Sequence, residues 1–390
     1  MNTALKNELL AKFRAHFGCE PTAMAYAPGR VEVLGNHTDY NEGLVLSAAI
    51  NYGTFFAVAP SSGPLCRLVA GDLMHEVSFP ADAPKPVTED TWANYCLGVH
   101  AGLLAKAPLA EGYFGMFLGD IPQGSGLSSS AALETTTALA LAARYGIALD
   151  KLEAAKIGQK AEHTFAGVKC GLLDQISSLF GKEDMLVKTD FRSLEVENVP
   201  LSPDAVLLVC NSNAKHALVD GAYNQRREDC EAAAAYFKAV LGHPVKALRD
   251  VSWAEWEQFK SGLPARVANR AAHPVGEDER VLAGAKLLAA GDLAGFGKLM
   301  FESHESSRVL FENSCEELDI LVDICRGTEG VLGARLSGGG FGGSIVALVR
   351  RDCAKAASDA IASAYAAKTG KVCDVLAIRP AEGARLVVEG

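Results

Sequence analysis

From Pro122 to Ala132 the chain reads Pro-Gln-Gly-Ser-Gly-Leu-Ser-Ser-Ser-Ala-Ala, a run with the chemistry of an anion cradle. Gly124 and Gly126 let backbone approach a ligand closely, and the hydroxyls of Ser128, Ser129 and Ser130 can donate to phosphate oxygens or ligate magnesium. An apolar strand pattern precedes the run and a helical pattern, Ser129–Tyr145, follows it. Such a junction offers unpaired N–H groups and the positive end of a helix dipole, which suit a phosphate. The competing reading is that Ser128 to Ser130 merely cap the helix, as serines do well. No GxxxxGK[ST] occurs in the chain, so P-loop chemistry is not expected.

A second glycine cluster, Gly338 to Gly343, fits GxGxxG. A dinucleotide fingerprint must open a helix, whereas Ser344-Ile345-Val346-Ala347-Leu348-Val349 is a strand pattern. The cluster therefore reads as a hairpin reaching toward a cleft.

The elements that must position these loops follow from periodicity. Strand patterns lie at Arg30–Leu34, Val45–Ala49, Thr54–Ala59, Cys66–Ala70, Gly115–Leu118, Ala205–Cys210, Leu332–Leu336, Ser344–Val349 and Val372–Ile378. Helical patterns cover the first twenty residues, Ser129–Tyr145, Leu152–Phe165, Tyr223–Leu241, Val281–Ala290, Cys315–Cys325 and Asp352–Lys368. Without strict βαβ alternation, the mixture points to an α+β fold. At 390 residues, two lobes are expected.

Hydrophobic residues make up 49% and charged residues 22%, the balance of a globular protein. A net charge of -10 repels nucleic acid, so an anionic substrate needs a local cationic pocket. The ten cysteines show no CxxC pairs, which argues against zinc or a disulfide scaffold. With no signal-peptide core and no membrane-length apolar run, a cytoplasmic protein is expected.

Three separated motifs resemble those of the GHMP kinases, the family named for galactokinase, homoserine, mevalonate and phosphomevalonate kinases. The cradle resembles the second family motif. Ala27-Pro28-Gly29-Arg30-Val31-Glu32-Val33-Leu34-Gly35-Asn36-His37-Thr38-Asp39-Tyr40-Asn41-Glu42-Gly43 resembles the first, and its HTDYN core is particular to the galactokinase branch. Arg335-Leu336-Ser337-Gly338-Gly339-Gly340-Phe341-Gly342-Gly343 resembles the third. Glu162–Gly167, Cys170–Gln175, Asn211–Asn213 and Glu302–His304 are similar to the same branch. The resemblance implies an N-terminal lobe like the second domain of ribosomal protein S5 over residues 1–195, and a ferredoxin-like C-terminal lobe over 196–390. ATP and a sugar would meet between them.

By that resemblance the activity is transfer of a phosphoryl group from ATP, with Mg2+, to the anomeric hydroxyl of a sugar, galactose first. Asp174 matches the carboxylate beside the attacking hydroxyl and Arg30 its paired arginine. Ser130 and Glu162 match the magnesium ligands. The sugar falls to Asn36, His37, Asp39, Gly171, Asp174 and Tyr223. The nucleotide falls to Trp92, Pro122, Gly124, Ser125, Gly126, Leu127, Ser128, Ser129, Ser130, Gly339 and Gly340. A monomer or weak dimer is implied.

One departure stands out. Asn36 replaces a glutamate that usually accepts a hydrogen bond from a sugar hydroxyl, which implies a weaker grip on that hydroxyl or a different sugar. A non-catalytic sugar and ATP sensor is the alternative from another class. Retention of Ala131-Ala132, Arg30 and Asp174 favours an enzyme, and HTDYN disfavours a mevalonate-type kinase.

Overall fold

The computed structural model describes residues 2–109, 111–168, 170–214 and 219–388. The first half of the chain runs α1 (Thr3–Phe17), β1 (Ala23–Leu34), β2 (Leu44–Pro60), β3 (Leu65–Ala70), β4 (His75–Pro80), α2 (Ala93–Leu104), β5 (Tyr113–Gly119), α3 (Ser129–Tyr145), α4 (Lys151–Ala161), α5 (Leu173–Phe180), β6 (Met185–Asp190) and β7 (Val196–Pro200). The second runs β8 (Ala205–Asn211), α6 (Val219–Val240), α7 (Trp253–Phe259), α8 (Ala265–Ala289), α9 (Leu293–Ser306), α10 (Glu316–Arg326), β9 (Val331–Leu336), β10 (Ser344–Arg350), α11 (Ala354–Thr369), β11 (Asp374–Ile378) and β12 (Arg385–Val388).

Two sheets organise the molecule. The first has the order β12-β1-β2-β5-β3-β4, with β6 branching from β2 and β7 from β6. Every residue of β1 is buried, so this strand lies at the centre of the protein. The second sheet, β11-β8-β10-β9, is wholly antiparallel. Its βαββαβ connectivity, with α6 to α10 in the first crossover and α11 in the second, is ferredoxin-like.

The sequence of β8 explains how the sheets join. Successive side chains on a strand point to opposite faces. Leu207 and Val209 enter the core shared with Val31 and Val33 of β1, while Val206, Leu208 and Cys210 pack with Leu318, Leu321, Ile361 and Tyr365. Burial on both faces is why Ala205–Cys210 reads as one continuous apolar run. On the outer face of the first sheet, α1 buries Leu5, Leu9 and Phe13, one helical stripe contributing about 1.5–3 kcal/mol per side chain.

Several expected boundaries change. The first sheet takes strands from both sides of residue 195, since β7 pairs with β6 and β12 returns to pair with Met24–Tyr26 of β1. The helix expected at Val281–Ala290 is the last part of α8, which runs through Pro274. Proline costs a helix about 3 kcal/mol, yet Pro274 is buried and the packing on either side outweighs that loss. The helix expected over Leu152–Phe165 ends at Ala161 and passes into a π-helical turn, Glu162–Ala166. No helix among the described residues is long and apolar enough to cross a membrane.

Candidate active site

A cavity of about 520 Å³ opens where β1, α5, α6 and the glycine hairpin after β9 converge. That size suits a small-molecule site, which usually spans about 300–1,000 Å³. Arg30, Asn36, His37, Asp39, Gly171, Asp174, Tyr223 and Gly339 all line it, although they come from segments far apart in the chain.

Arg30 and Asp174 meet on the cavity wall. Arg30 donates from Nε to Asp174 Oδ1 at 2.8 Å and its Nη2 lies 2.7 Å from the same oxygen. The guanidinium also donates from Nη1 to the Gly126 carbonyl at 2.7 Å. Ser128 Oγ donates to Asp174 Oδ2. Donors thus converge on both oxygens of an acceptor carboxylate, and arginine and serine tie it to the glycine-rich loop. Asp174 lies in the first turn of α5, where the helix dipole favours negative charge.

The loop itself is held in a shape that leaves α3 open. Gly124 and Gly126 adopt φ of 70° and 72°, a region that glycine enters without a Cβ penalty. Ser125 Oγ closes the turn on the Pro122 carbonyl at 2.6 Å, Leu127 is buried, and Ser344 Oγ from β10 donates to the Ser125 carbonyl at 2.8 Å. Ser128 occupies the N-cap position with φ of 56° and makes no side-chain cap bond. The capping alternative therefore fails for Ser128 and Ser130: the first hydroxyl goes to Asp174 and the second to Glu162 Oε1, at 3.0 Å. Ser129 begins α3.

Ser130 and Glu162 place two hard oxygen donors side by side, a set that fits magnesium when phosphate and water oxygens complete the shell. Burial raises the Glu162 carboxyl above its usual range, and the charge of Asp174 adds to this. A bound cation would relieve that cost. No group of three or more His, Cys, Asp or Glu among the described residues could hold a metal alone.

On the far side, Asp39 begins a single 3-10 turn, Asp39–Asn41. Burial, with the charges of Glu32 and Asp174 behind it, pushes its carboxyl up to about 6. A Cβ added at Gly171 would stand 2.0 Å from Asp39 Oδ2, so glycine is required there to admit the carboxylate. Thr38 Oγ1 lies 2.7 and 2.6 Å from the carbonyls of Gly35 and Leu44, which share its one hydrogen, and Asn41 Nδ2 donates to that of His37 at 2.8 Å, which fixes the loop.

His37 is a strut. Its Nε2 lies 3.1 Å from the Gly339 carbonyl, which can only accept, so this nitrogen carries the proton and Nδ1 accepts from the Tyr40 hydroxyl at 2.8 Å. Burial lowers its pKa to about 4, keeping the ring neutral. Tyr223 packs on it, ring centroids 5.1 Å apart. Gly339 lines the cavity beside His37, Asp39 and Tyr223, and Gly340 abuts the Asn313 carbonyl. Trp92 lies apart from the cavity, its ring 5.3 Å from Phe117 and its Nε1 donating to Asp90 Oδ1 at 3.1 Å.

The galactokinase galactose-binding signature matches residues 11–60, the GHMP kinase N-terminal domain 94–182 and the GHMP kinase C-terminal domain 285–367. The galactokinase of Chloroflexus aurantiacus is 41% identical over 365 residues, 93% of each chain. The chain belongs to the galactokinase family. The crystal structure of Lactococcus lactis galactokinase complexed with galactose matches with a TM-score of 0.91 and 30% identity, covering 97% of this chain and 99% of that one. The mevalonate kinase of Methanococcus jannaschii, 19% identical over 92% of this chain and 98% of its own, shares the fold at a TM-score of 0.62. As a galactokinase-family member the protein is a sugar kinase of the GHMP type.

Several residues around this galactokinase-like site escaped sequence reasoning. Glu277 of α8 accepts at Oε2 from the backbone N–H groups of Gly35 and Asn36 and from Ser303 Oγ, each at 2.9 Å. Its neighbour Asp278 accepts from the N–H of Leu44 at 2.7 Å, so two adjacent carboxylates clamp both ends of the loop from Gly35 to Leu44. Asn313 and Glu32 bracket Asn36. The available signal was an acidic pair, Glu277-Asp278, on a stretch whose neighbouring positions are largely buried.

Proposed function

We propose that the protein transfers the γ-phosphoryl group of ATP to the anomeric hydroxyl of galactose, giving galactose 1-phosphate and ADP. The observation that carries this reading is the Arg30–Asp174 pair, joined through Gly126 and Ser128 to the glycine-rich loop and facing a cavity lined by Asp39, His37 and Tyr223.

In this mechanism the loop and the open N-terminus of α3 receive the phosphates, and the sugar's anomeric hydroxyl lies against Asp174. The hydroxyl oxygen bonds to γ-phosphorus as the bond to the ADP oxygen breaks, and the hydroxyl proton passes to Asp174 and then to solvent. Arg30 holds Asp174 in place and offers positive charge to the moving group. Asp39, seated against Gly171, accepts from sugar hydroxyls. Ser130 and Glu162 would hold magnesium, which supplies screening of phosphate charge. All ten cysteines are free, which supports a reducing, cytoplasmic setting.

The test is ADP formation by purified protein with Mg2+, ATP and a panel of hexoses. Turnover is expected with galactose, and Asp174→Asn should lower kcat by about 10²–10⁴-fold while nucleotide binding persists. A panel with no turnover above background removes the reading, and near-normal rates in Asp174→Asn remove the assigned role.

A further inference from the structure

Asn36, standing where the family usually carries a glutamate, has little left to offer a ligand. Its Nδ2 donates to Glu32 Oε1 at 2.9 Å and to the Gly338 carbonyl at 2.7 Å, which uses both amide hydrogens. Its Oδ1 accepts from Asn313 Nδ2 at 2.9 Å. The carboxylate in this corner belongs to Glu32, four residues earlier. We propose that Glu32 is the specificity-determining acceptor of the sugar pocket, its Oε2 receiving a hydrogen bond from a hydroxyl across the ring from the one phosphorylated. This rests on the sugar-kinase reading above and deepens it.

Glu32 lines the cavity, yet only 3% of its surface is exposed. Oε1 is taken by Asn36 and by Arg335 Nη1, each at 2.9 Å. Oε2 has no hydrogen-bond partner among the described residues and is not among the fully enclosed unpaired atoms, so it keeps an open face. A carboxylate oxygen left unpaired beside a cavity is costly until a donor arrives. Arg335, fully buried, offsets the charge. Ser337 fixes the Glu32 backbone, its Oγ accepting from the Glu32 N–H at 3.2 Å and donating to the Glu32 carbonyl at 3.0 Å.

Strand geometry sets the distance to the reaction. Arg30, Val31 and Glu32 pair in unbroken register with Ala49, Ala48 and Ser47. The side chains of Arg30 and Glu32 therefore leave the same face of β1, roughly 6–7 Å apart. That spacing matches the span of one pyranose ring. With the phosphorylated hydroxyl beside Arg30 and Asp174, Glu32 meets the opposite edge. The carboxylate is thus present in this pocket but has moved to position 32, with Asn36 as the amide that orients it. Adding a second carboxylate at position 36 would set two like charges against each other, the reverse of restoring a usual pocket.

The experiment compares kcat and KM for galactose and its 3-, 4- and 6-deoxy analogues in the wild type, Glu32→Gln, Asn36→Glu and the double variant Glu32→Gln/Asn36→Glu. Glu32→Gln should raise the galactose KM about 10–100-fold with the ATP KM unchanged. One deoxy analogue, the one lacking the contacted hydroxyl, should show no such penalty. Asn36→Glu alone should lower Tm and raise the sugar KM, and the double variant should recover both because one carboxylate faces one amide again. An equal penalty across all analogues, or an unchanged galactose KM in a folded Glu32→Gln protein, overturns the proposal. Should Glu32→Gln fail to fold, the double variant decides, since failure to recover relative to Asn36→Glu is equally fatal. Absence of galactose turnover in the wild type would instead defeat the underlying galactose reading.

Discussion

At the scale of single residues, the site works through carboxylates whose surroundings differ. Asp174 is braced by a guanidinium and a hydroxyl, whereas Asp39 is buried with two other acidic groups nearby and is pushed up to about 6. In the proposed function Asp39 accepts from sugar hydroxyls, and its ionised form is the better acceptor. The value of kcat/KM for the sugar should therefore fall as pH drops below about 6, and kcat/KM reports the free enzyme. Stability has the opposite sign. A folded-state value above the unfolded one means that protonation of Asp39 favours folding, fully below 3.8, with that benefit lost as pH rises through 6. A pH profile between 4.5 and 8 checks this, with Asp39→Asn removing the inflection; a wild-type profile flat through 6 would count against it. Asp39 and His37 were legible as pocket residues from the HTDYN motif. Their differing roles, acceptor and strut, were not, because those depend on Gly171 and Gly339 approaching from other parts of the chain.

At the scale of elements, α8 acts as the splint of the loop from Gly35 to Leu44. Burial alone would raise the Glu277 carboxyl, but the charges of Arg280, His273 and Arg335 overcome it and hold it at about 2. Because the folded value lies below the unfolded one, the stabilisation is present above pH 4.5 and fades as pH falls toward 2. Glu277→Gln should therefore cost about 3–5 kcal/mol at neutral pH, seen as a lower Tm and a raised sugar KM. An unchanged Tm would show that the clamp is dispensable. The sequence pattern of α8 was only partly readable, since Pro274 and Gly276 suggest a break. The helix continues because tertiary packing supplies more than the local propensity removes. The strong periodicity of α3 and α11 made them readable almost to the residue, whereas the short strands β6 and β7 carried too little pattern to be seen.

At the scale of the whole molecule, the two sheets share one core through β8 and β10, and the last strand crosses back to β1. Calorimetry should show a single unfolding transition with matching calorimetric and van't Hoff enthalpies. Two separable transitions would mean that the lobes are independent units. This continuity reaches the candidate site, because Glu32 on β1 and Arg335 on β9 form a buried ion pair at the joint, and Glu32 also lines the cavity.

The amino-acid order by itself determined the chemistry on offer: a glycine- and serine-rich loop without a lysine, an arginine and an aspartate within family motifs, and three motifs in family order. These were legible because local backbone requirements and reactive groups are written at short range. Only the tertiary structure decided which partner each group has. Ser128 bonds a distant aspartate in place of its own helix, Gly171 makes room for Asp39, and the carboxylate beside Asn36 arrives from Glu32. The physical reason is that hydrogen-bond partnership and desolvation depend on what packs within a few ångströms, and those neighbours range from Glu32, four residues from Asn36, to groups tens or hundreds of residues away in the chain.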